Sequence, residues 1–338
     1  MTDVVLNFNN INFGSWETMT IDRQIDAVDV FNFTTPFMWE DQQFQNNFKP
    51  FQYQNVNVIA DGARLFTGTA ITILPDDGVD AVTISVSGYA KAGVIGDCQA
   101  PPINYPIEFQ GLTLRQIAQQ LTGYFGLTAV FTNSDGYAFD QVALKTNQNI
   151  FDFLTSLAKE RGLVISSNED GNLLFQKTSS NYVGDITTAV TSAKPLQLNG
   201  QGIFSDYTAM GATIPGLGAD SFTVKDNRIN VVRPFVFNTD GAADADTAGD
   251  AQAKAGRAYG EAIAYSVNIP SWQDPNGNIW KANTLCDYQN PKIFINRKTR
   301  FLIKHISLEK TPDSETVNLT LVLPDSFDGK IPTVLPWE

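Results

Sequence analysis

The sequence predicts an α+β protein that is mainly β. Three observations carry this. Short runs rich in Val, Ile and Phe, many alternating apolar with polar, fill the chain up to residue 97 and return from residue 181. Between them lie two segments of helical periodicity, each ended by a glycine and followed by a strand pattern. One Ala-rich stretch, 247–264, reads as a single long helix.

The elements follow in order. "VVLNFNNINF" and "AVDVFNFTT" read as strands, and "NVNVIADGARLFTGTAITILPDDG" alternates about Asp61-Gly62, a strong hairpin signal. "VDAVTISVSGY" places Val82, Ile84 and Val86 on one face. Several short strands in succession suggest a barrel or sandwich over residues 1–97. At "DCQAPP" (97–102) two prolines block regular structure and mark a domain crossing.

Residues 98–180 then read as a small α+β domain. Thr113 caps a helix, with Gln116 completing a capping box, and Leu114, Ile117 and Leu121 share its apolar face. The same pattern recurs at an offset of 36 residues: Ile150, Phe153 and Leu157 match those positions, Asn149 takes the cap, and Gly162-Leu163 matches Gly126-Leu127. A hairpin about Asp170-Gly171 follows. Two copies are too few for a solenoid. Strands return over 181–240, and the 247–264 helix follows, with acids where the N-terminal dipole favours them. "FLIKHISLEK" and "ETVNLTLVLP" would pair across Thr311-Pro312-Asp313-Ser314. Residues 181–338 are thus a third, strand-rich part that includes the long helix.

Composition narrows the function. Hydrophobic residues at 43% argue against disorder, while charged residues at 17% are few for a surface wholly in solvent. Either much of the surface faces other protein, or the chain is simply polar and β-rich. The net charge of −13 opposes phosphate, so sequence-specific nucleic-acid binding is not expected; the same sign would suit a conduit along which DNA slides without sticking. No cofactor is implied. Cys98, Cys286 and His305 lie far apart, which excludes a Cys/His zinc motif and leaves only His305 for a nucleophilic triad. The cysteines are either paired or free, with free thiols favoured in a reduced compartment. Asp244, Asp246 and Asp250 have no EF-hand spacing, because Ala248 and Ala255 stand where ligands are required; they read as the start of a helix. "MTDVVLNFNN" lacks the features of a signal peptide, and no run of about 18 apolar residues would span a membrane, so no stable membrane insertion is expected.

"SWQDPNGNIWKANTLC" (271–286) brackets a tight turn with two tryptophans. Pro275 favours the second corner of the Asp274–Gly277 turn and Gly277 permits positive φ, so Trp272 and Trp280 would meet across a hairpin, with Asn283 bonding nearby backbone. This reads as a buried clamp. The competing reading is a sugar platform. In "VFNFTTPFMWE", Phe31 and Phe33 read as core, and Phe37 and Trp39 as candidate interface residues.

Several motifs, in their order, resemble the baseplate hub proteins of Mu-like contractile-tailed phages, related to the large hub of T-even phages. They are "LFTGTAITI", "VSGYAKAGVIGDCQAPP", "TLRQIAQQLTGYFGL", "IFSDYTAMG", "VKDNRINVVRP", "AKAGRAYGEAIAYSVNIPSWQDPNGNIWKANTLC", "FLIKHISLEK" and "VNLTLVLPDSFDG". Tyr259 stands where that family often has Trp, and "DCQAPP" is richer in proline than expected. The resemblance implies two β-barrel-like tube domains per chain, flanking the small domain. It implies a homotrimer mimicking sixfold symmetry, which joins a trimeric tail spike to the hexameric tail tube or a tube-initiator protein, with a tape measure protein as a further candidate partner. It implies a structural role without a reaction of its own, in the virion tail baseplate, after assembly in the bacterial host cytoplasm. The alternative from a different class is a carbohydrate-active or sugar-binding protein using Trp272 and Trp280.

Overall fold

The computed structural model describes residues 1–338 apart from 80, 102–104, 106, 215–217, 240–245 and 328–329. The first part supplies Val4–Phe8 (β1), Ile11–Phe13 (β2), Thr18–Gln24 (β3), Val30–Pro36 (β4), Asn55–Ala60 (β5), Ala63–Asp77 (β6) and Val82–Ala90 (β7), with short helices Gln42–Asn47 (α1) and Val94–Asp97 (α2). The predicted alternation is realised literally: β4 buries Phe31, Phe33 and Thr35 and exposes Val30, Asn32 and Pro36. Ala60 faces Ala63 across Asp61-Gly62, both in the left-handed region (φ 49° and 78°), as a two-residue hairpin turn demands.

The middle part contains Ile107–Leu112 (β8), Leu114–Gly123 (α3), Ala129–Phe131 (β9), Phe139–Leu144 (β10), Ile150–Glu160 (α4), Val164–Ser167 (β11) and Leu173–Gln176 (β12). The predicted caps are present: Thr113 and Gln116 form the reciprocal box, and Asn149 Oδ1 accepts from the Asp152 amide at 2.7 Å. The repeat is larger than the sequence pattern suggested, because each helix is also preceded by a strand. β8 and β10 pair antiparallel with one another. β9 and β11 flank β12, one parallel and one antiparallel. This part has its own core, in which Leu114, Ile117, Ile150, Leu154 and Leu163 are fully buried. Half of the proline crossing, Pro102, lies outside the described residues.

The third part contains Tyr182–Asp185 (β13), Ser192–Leu198 (β14), Asp206–Ile214 (β15), Gly218–Lys225 (β16), Pro234–Asn238 (β17), Thr247–Ala262 (α5), Ile263–Ile269 (β18), Thr284–Asn290 (β19), Ile295–Lys310 (β20) and Glu315–Val322 (β21). β15, β16 and β17 form a separate sheet, against which α5 packs.

The strand-rich parts differ from two separate barrels in one respect. A 13-stranded sheet runs through both, in the order β14-β18-β21-β20-β3-β4-β7-β6-β5-β1-β2, with β19 and β13 branching from β20. The seam is β20 against β3, antiparallel from Lys310↔Met19 to His305↔Gln24. No pairing among the described strands closes either stretch into a barrel. One core lies beneath both, containing Phe8, Phe33 and Phe66 from the first part and Tyr265, Phe301 and Leu319 from the third.

The middle part docks onto this sheet through backbone. Gly171, at φ 79°, sits where an added Cβ would lie 2.3 Å from the Thr67 carbonyl oxygen, and its own carbonyl accepts from the Ala92 amide at 2.8 Å. Both the left-handed backbone and the contact require glycine. Gly171→Ala is expected to cost about 2–4 kcal/mol, combining conformational strain of about 1–2 kcal/mol with overpacking against backbone; chemical denaturation of the purified chain measures it.

Candidate functional site

The tryptophan turn forms as the sequence implies. Gln273 and Ile279 make an antiparallel bridge, the Trp280 amide donates to the Trp272 carbonyl at 3.0 Å, and the Gly277 amide donates to the Asp274 carbonyl at 2.9 Å. Gly277 has φ 81°. Trp272 is 0% and Trp280 1% exposed. Neither ring presents a face to solvent, so the sugar-platform reading fails at these residues. Trp272 Nε1 donates to the carbonyls of Glu309 (2.9 Å) and Thr316 (3.1 Å), stitching the turn to the β20–β21 hairpin. Pro275 packs on Gly184, and Asn276 Nδ2 donates to the Val183 carbonyl at 3.2 Å, so the same turn also holds β13. Asn283, left-handed at φ 60°, accepts from the Ser179 amide at 2.9 Å and donates to the Lys177 carbonyl at 3.0 Å. It thereby fastens the exit of the middle part to the start of β19.

Trp280 Nε1 is buried without a hydrogen-bond partner in the structure. The two tryptophans therefore differ in a measurable way. Trp272→Phe is expected to destabilise by about 1–3 kcal/mol more than Trp280→Phe, because only Trp272 Nε1 makes hydrogen bonds that the substitution removes; the difference between the two denaturation midpoints tests it.

A second joint, invisible to sequence reading, lies where the three parts meet. Arg23, on β3, is nearly buried. Its Nε donates to Asp29 Oδ2 at 2.8 Å, its Nη2 to the Ser167 carbonyl at 3.1 Å, and its Nη1 lies 3.5 Å from Glu169. Lys281, beside Trp280, reaches Glu169 at 3.0 Å. Next to it, the Asp26 amide donates to the Ile165 carbonyl at 2.6 Å, while the Asp26 carboxylate accepts from the Ile165 amide at 3.2 Å and from Arg257 of α5 at 2.7 Å. The β3–β4 turn is thus bonded to β11 and to α5 at once. Burial pushes the Asp29 carboxyl up to about 6 despite Arg23, and its Oδ1 is buried without a partner. Burial also works on Glu169, yet the charge of Arg23 and the ammonium of Lys281 hold its carboxyl below the usual range.

The sign for Asp29 is fixed by linkage. Its folded pKa lies above the ordinary 3.8, so its contribution favours folding below about pH 4 and is lost as pH rises through about 6. Asp29→Asn should remove that downward component. The stability of wild type relative to the variant is expected to fall between pH 4 and pH 6, as read by urea denaturation across that range.

A third network, also missed, ties α5 to the β16–β17 connection. Arg228 grips Asp226 through Nε and Nη2, both at 2.9 Å, and donates to the Pro332 carbonyl at 2.6 Å; the Tyr259 hydroxyl donates to the same carboxylate. The only visible signal was the segment "VKDNRINVVRP", which gives no hint of Tyr259 as its partner.

The remaining candidates resolve as follows. Phe31 and Phe33 are core. Phe37 is half-buried, with its ring 6.1 Å from Phe44 and 6.3 Å from Phe48, whereas Trp39 is 55% exposed. Cys98 and Cys286 are both free, and burial pushes the Cys286 thiol up. His305 Nε2 lies 3.1 Å from Asp22 Oδ1, and Ser307 bonds the same carboxylate. The carboxylate is therefore in the middle, where a nucleophilic triad needs the imidazole. Asp246 caps α5 by accepting from the Gly249 amide at 2.9 Å; Asp244 lies outside the described residues. Among the described residues no cluster of His, Cys, Asp or Glu is arranged to hold a metal, and no helix is long and apolar enough to cross a membrane.

What stays open is surface. One described groove is largely apolar: about 1060 Å³ lined by residues that include Leu198, Val231, Phe294 and Trp337. The fold is that of phage tail proteins. It matches the 43 kDa tail protein of prophage MuSo2 from Shewanella oneidensis with a TM-score of 0.83, at 23% identity, covering 96% of this chain and 99% of that one. It matches the tail protein from Neisseria meningitidis MC58 with a TM-score of 0.80, at 16% identity, covering 98% and 99%.

Sequence comparison narrows the class. Residues 92–177 match the family described as the second domain of baseplate hub protein gp44-like proteins. Over 248 residues the chain is 25% identical to the baseplate hub protein gp44 of Escherichia phage Mu, covering 68% of this chain and 64% of that protein, just under two thirds of its length. The chain is thus similar to the Mu-type baseplate hub proteins, in agreement with the resemblance read from its motifs.

Proposed function

We propose that this protein is the structural baseplate hub of a contractile phage tail. Three copies close into a ring that joins a trimeric central spike to the hexameric tail tube or its initiator, with the tape measure protein as a further neighbour. In this reading residues 1–97 and 181–338 are the two tube-forming parts, and 98–180 is a module carried on them. The hub carries out no reaction of its own. It neither reads a nucleic-acid sequence nor inserts stably into a membrane, and it reaches the virion tail baseplate after assembly in the host cytoplasm.

The observation that carries this reading is the continuous sheet. The ends of its main path are β14, with no residue fully buried, and the three-residue β2, each paired on one side only among the described residues, while β13 ends the branch from β20. An open sheet edge favours addition of another strand or cover by another chain. A chain with two different free ends suits head-to-tail repetition, which closes into a ring when the rotation permits. Two strand-rich parts per chain, taken three times, give six around the axis. The kinship with the Mu hub supports the same assignment.

The purified protein of 37.1 kDa is expected to have a native mass of about 110 kDa at tens of micromolar, three chains in a closed ring. Multi-angle light scattering measures it, and a single monomeric species would overturn the ring.

A further inference from the structure

We infer that the ring closes by a knob-and-groove contact, in which an aromatic loop at the β2 end of one copy enters the apolar groove at the β14 end of the next. This rests on the ring reading above and names the surfaces that make it.

The knob is the β4–β5 connection. Met38 (54%), Trp39 (55%), Phe51 (82%) and Tyr53 (61%) all project into solvent from it. Its inner face is anchored: Phe44 and Phe48 of this loop pack on Phe13 of β2, with centroids 5.7 and 5.5 Å apart, and Phe48 stacks on Phe8 of β1 at 5.1 Å. The exposed aromatics therefore ride on the β1–β2 hairpin, the terminal hairpin of the sheet. The groove lies at the other terminus. Leu198 ends β14, Ile263 begins β18, and Val231, Phe294 and Trp337 complete the apolar lining at 55%, 60% and 38% exposure.

Two features argue that each surface is made for the other. The first is backbone conformation. Phe51, Tyr53 and Phe294 are all left-handed, at φ 63°, 51° and 66°. Positive φ is rare in bulky residues, and such strain persists where surrounding structure or function demands it. Here it holds three aromatic rings out in water, a second cost that burial against a partner would recover. The second is charge. Glu40 and Asp41 are exposed beside Trp39, against one base, Lys49. Arg233 lines the groove, exposed Lys292 and Arg297 flank its Phe294 and Asn296, and the one acid in the lining, Glu338, accepts from the Leu335 amide. Acidic knob and basic rim would steer one orientation. A second copy of this chain supplies the complement, and one knob-into-groove contact repeated head to tail closes into a ring when the rotation permits.

Two exposed substitutions test this. Trp39→Glu spoils the knob and Val231→Glu spoils the groove, and circular dichroism checks that each variant keeps the wild-type fold. Each alone is expected to run as a monomer at 10 µM by light scattering, where wild type is trimeric. Mixed in equal amounts, they are expected to give a dimer and nothing larger: the intact groove of the first accepts the intact knob of the second, and neither remaining surface can close the ring. Trimeric single variants beside a trimeric wild type would overturn the contact while leaving the ring. Monomeric variants that stay monomeric when mixed would overturn the head-to-tail pairing. A monomeric wild type would overturn both.

Discussion

The architecture depends on the seam between β3 and β20. Without it the chain would be two strand-rich parts on a tether; with it, one sheet and one core extend from β14 to β2. Backbone hydrogen bonds from Met19↔Lys310 to Gln24↔His305 fix the register of the two halves. A slip by one residue would turn every inward side chain outward, so Ile21 and Leu308, both fully buried, also lock it. The joint around Arg23 sits at the end of this seam. A buried ion pair contributes little net stability but is costly to break, so it acts chiefly to specify geometry. Here it holds β3 against the Ser167 carbonyl and Glu169 of the middle part.

Such joints suit the role proposed above, since a part held between a spike and a tube would be weakened by a hinge at its centre. The tryptophan turn contributes as well: Trp272 binds the β20–β21 hairpin, Asn276 binds β13, and Asn283 binds the segment leading out of the middle part. These interior polar groups are thus used for joining, while exposed aromatics include Trp39, Phe51 and Tyr53 near β2 and Phe294 and Trp337 near β14.

Much of the local structure was legible. Alternation gave β4, the Asp61-Gly62 turn and the closing hairpin, and cap residues gave both helices of the middle part, because those signals are carried by residues near each other in sequence. The turn that brings Trp272 and Trp280 together was legible in Asp-Pro-Asn-Gly, whereas their burial was one of two readings that it left open. What was illegible is long-range. Nothing local in "TMTIDRQ" says that it pairs with "HISLEK", or that Arg23 will meet Asp29, Ser167 and Glu169 in one buried joint. The strands β8 and β10 escaped the repeat because their ladder is made with each other rather than with a sequence neighbour. The separation of a half-buried Phe37 from an exposed Trp39 depends on where Phe44 and Phe48 fall, which no periodicity reports.

The seam also bears on how the chain comes into being. His305 meets Asp22 across 283 residues of sequence, so the central sheet cannot be completed until most of the polypeptide has left the ribosome. The middle part, with its own core and pairings confined to residues 107–176, can collapse before the seam forms, and until then the first strands keep an unsatisfied edge. That waiting edge is the strand β3, whose solvent-side positions carry Thr20, Asp22 and Gln24. Polar side chains along an unpaired strand discourage illegitimate partners during synthesis, so the composition of β3 serves the nascent chain as well as the finished one.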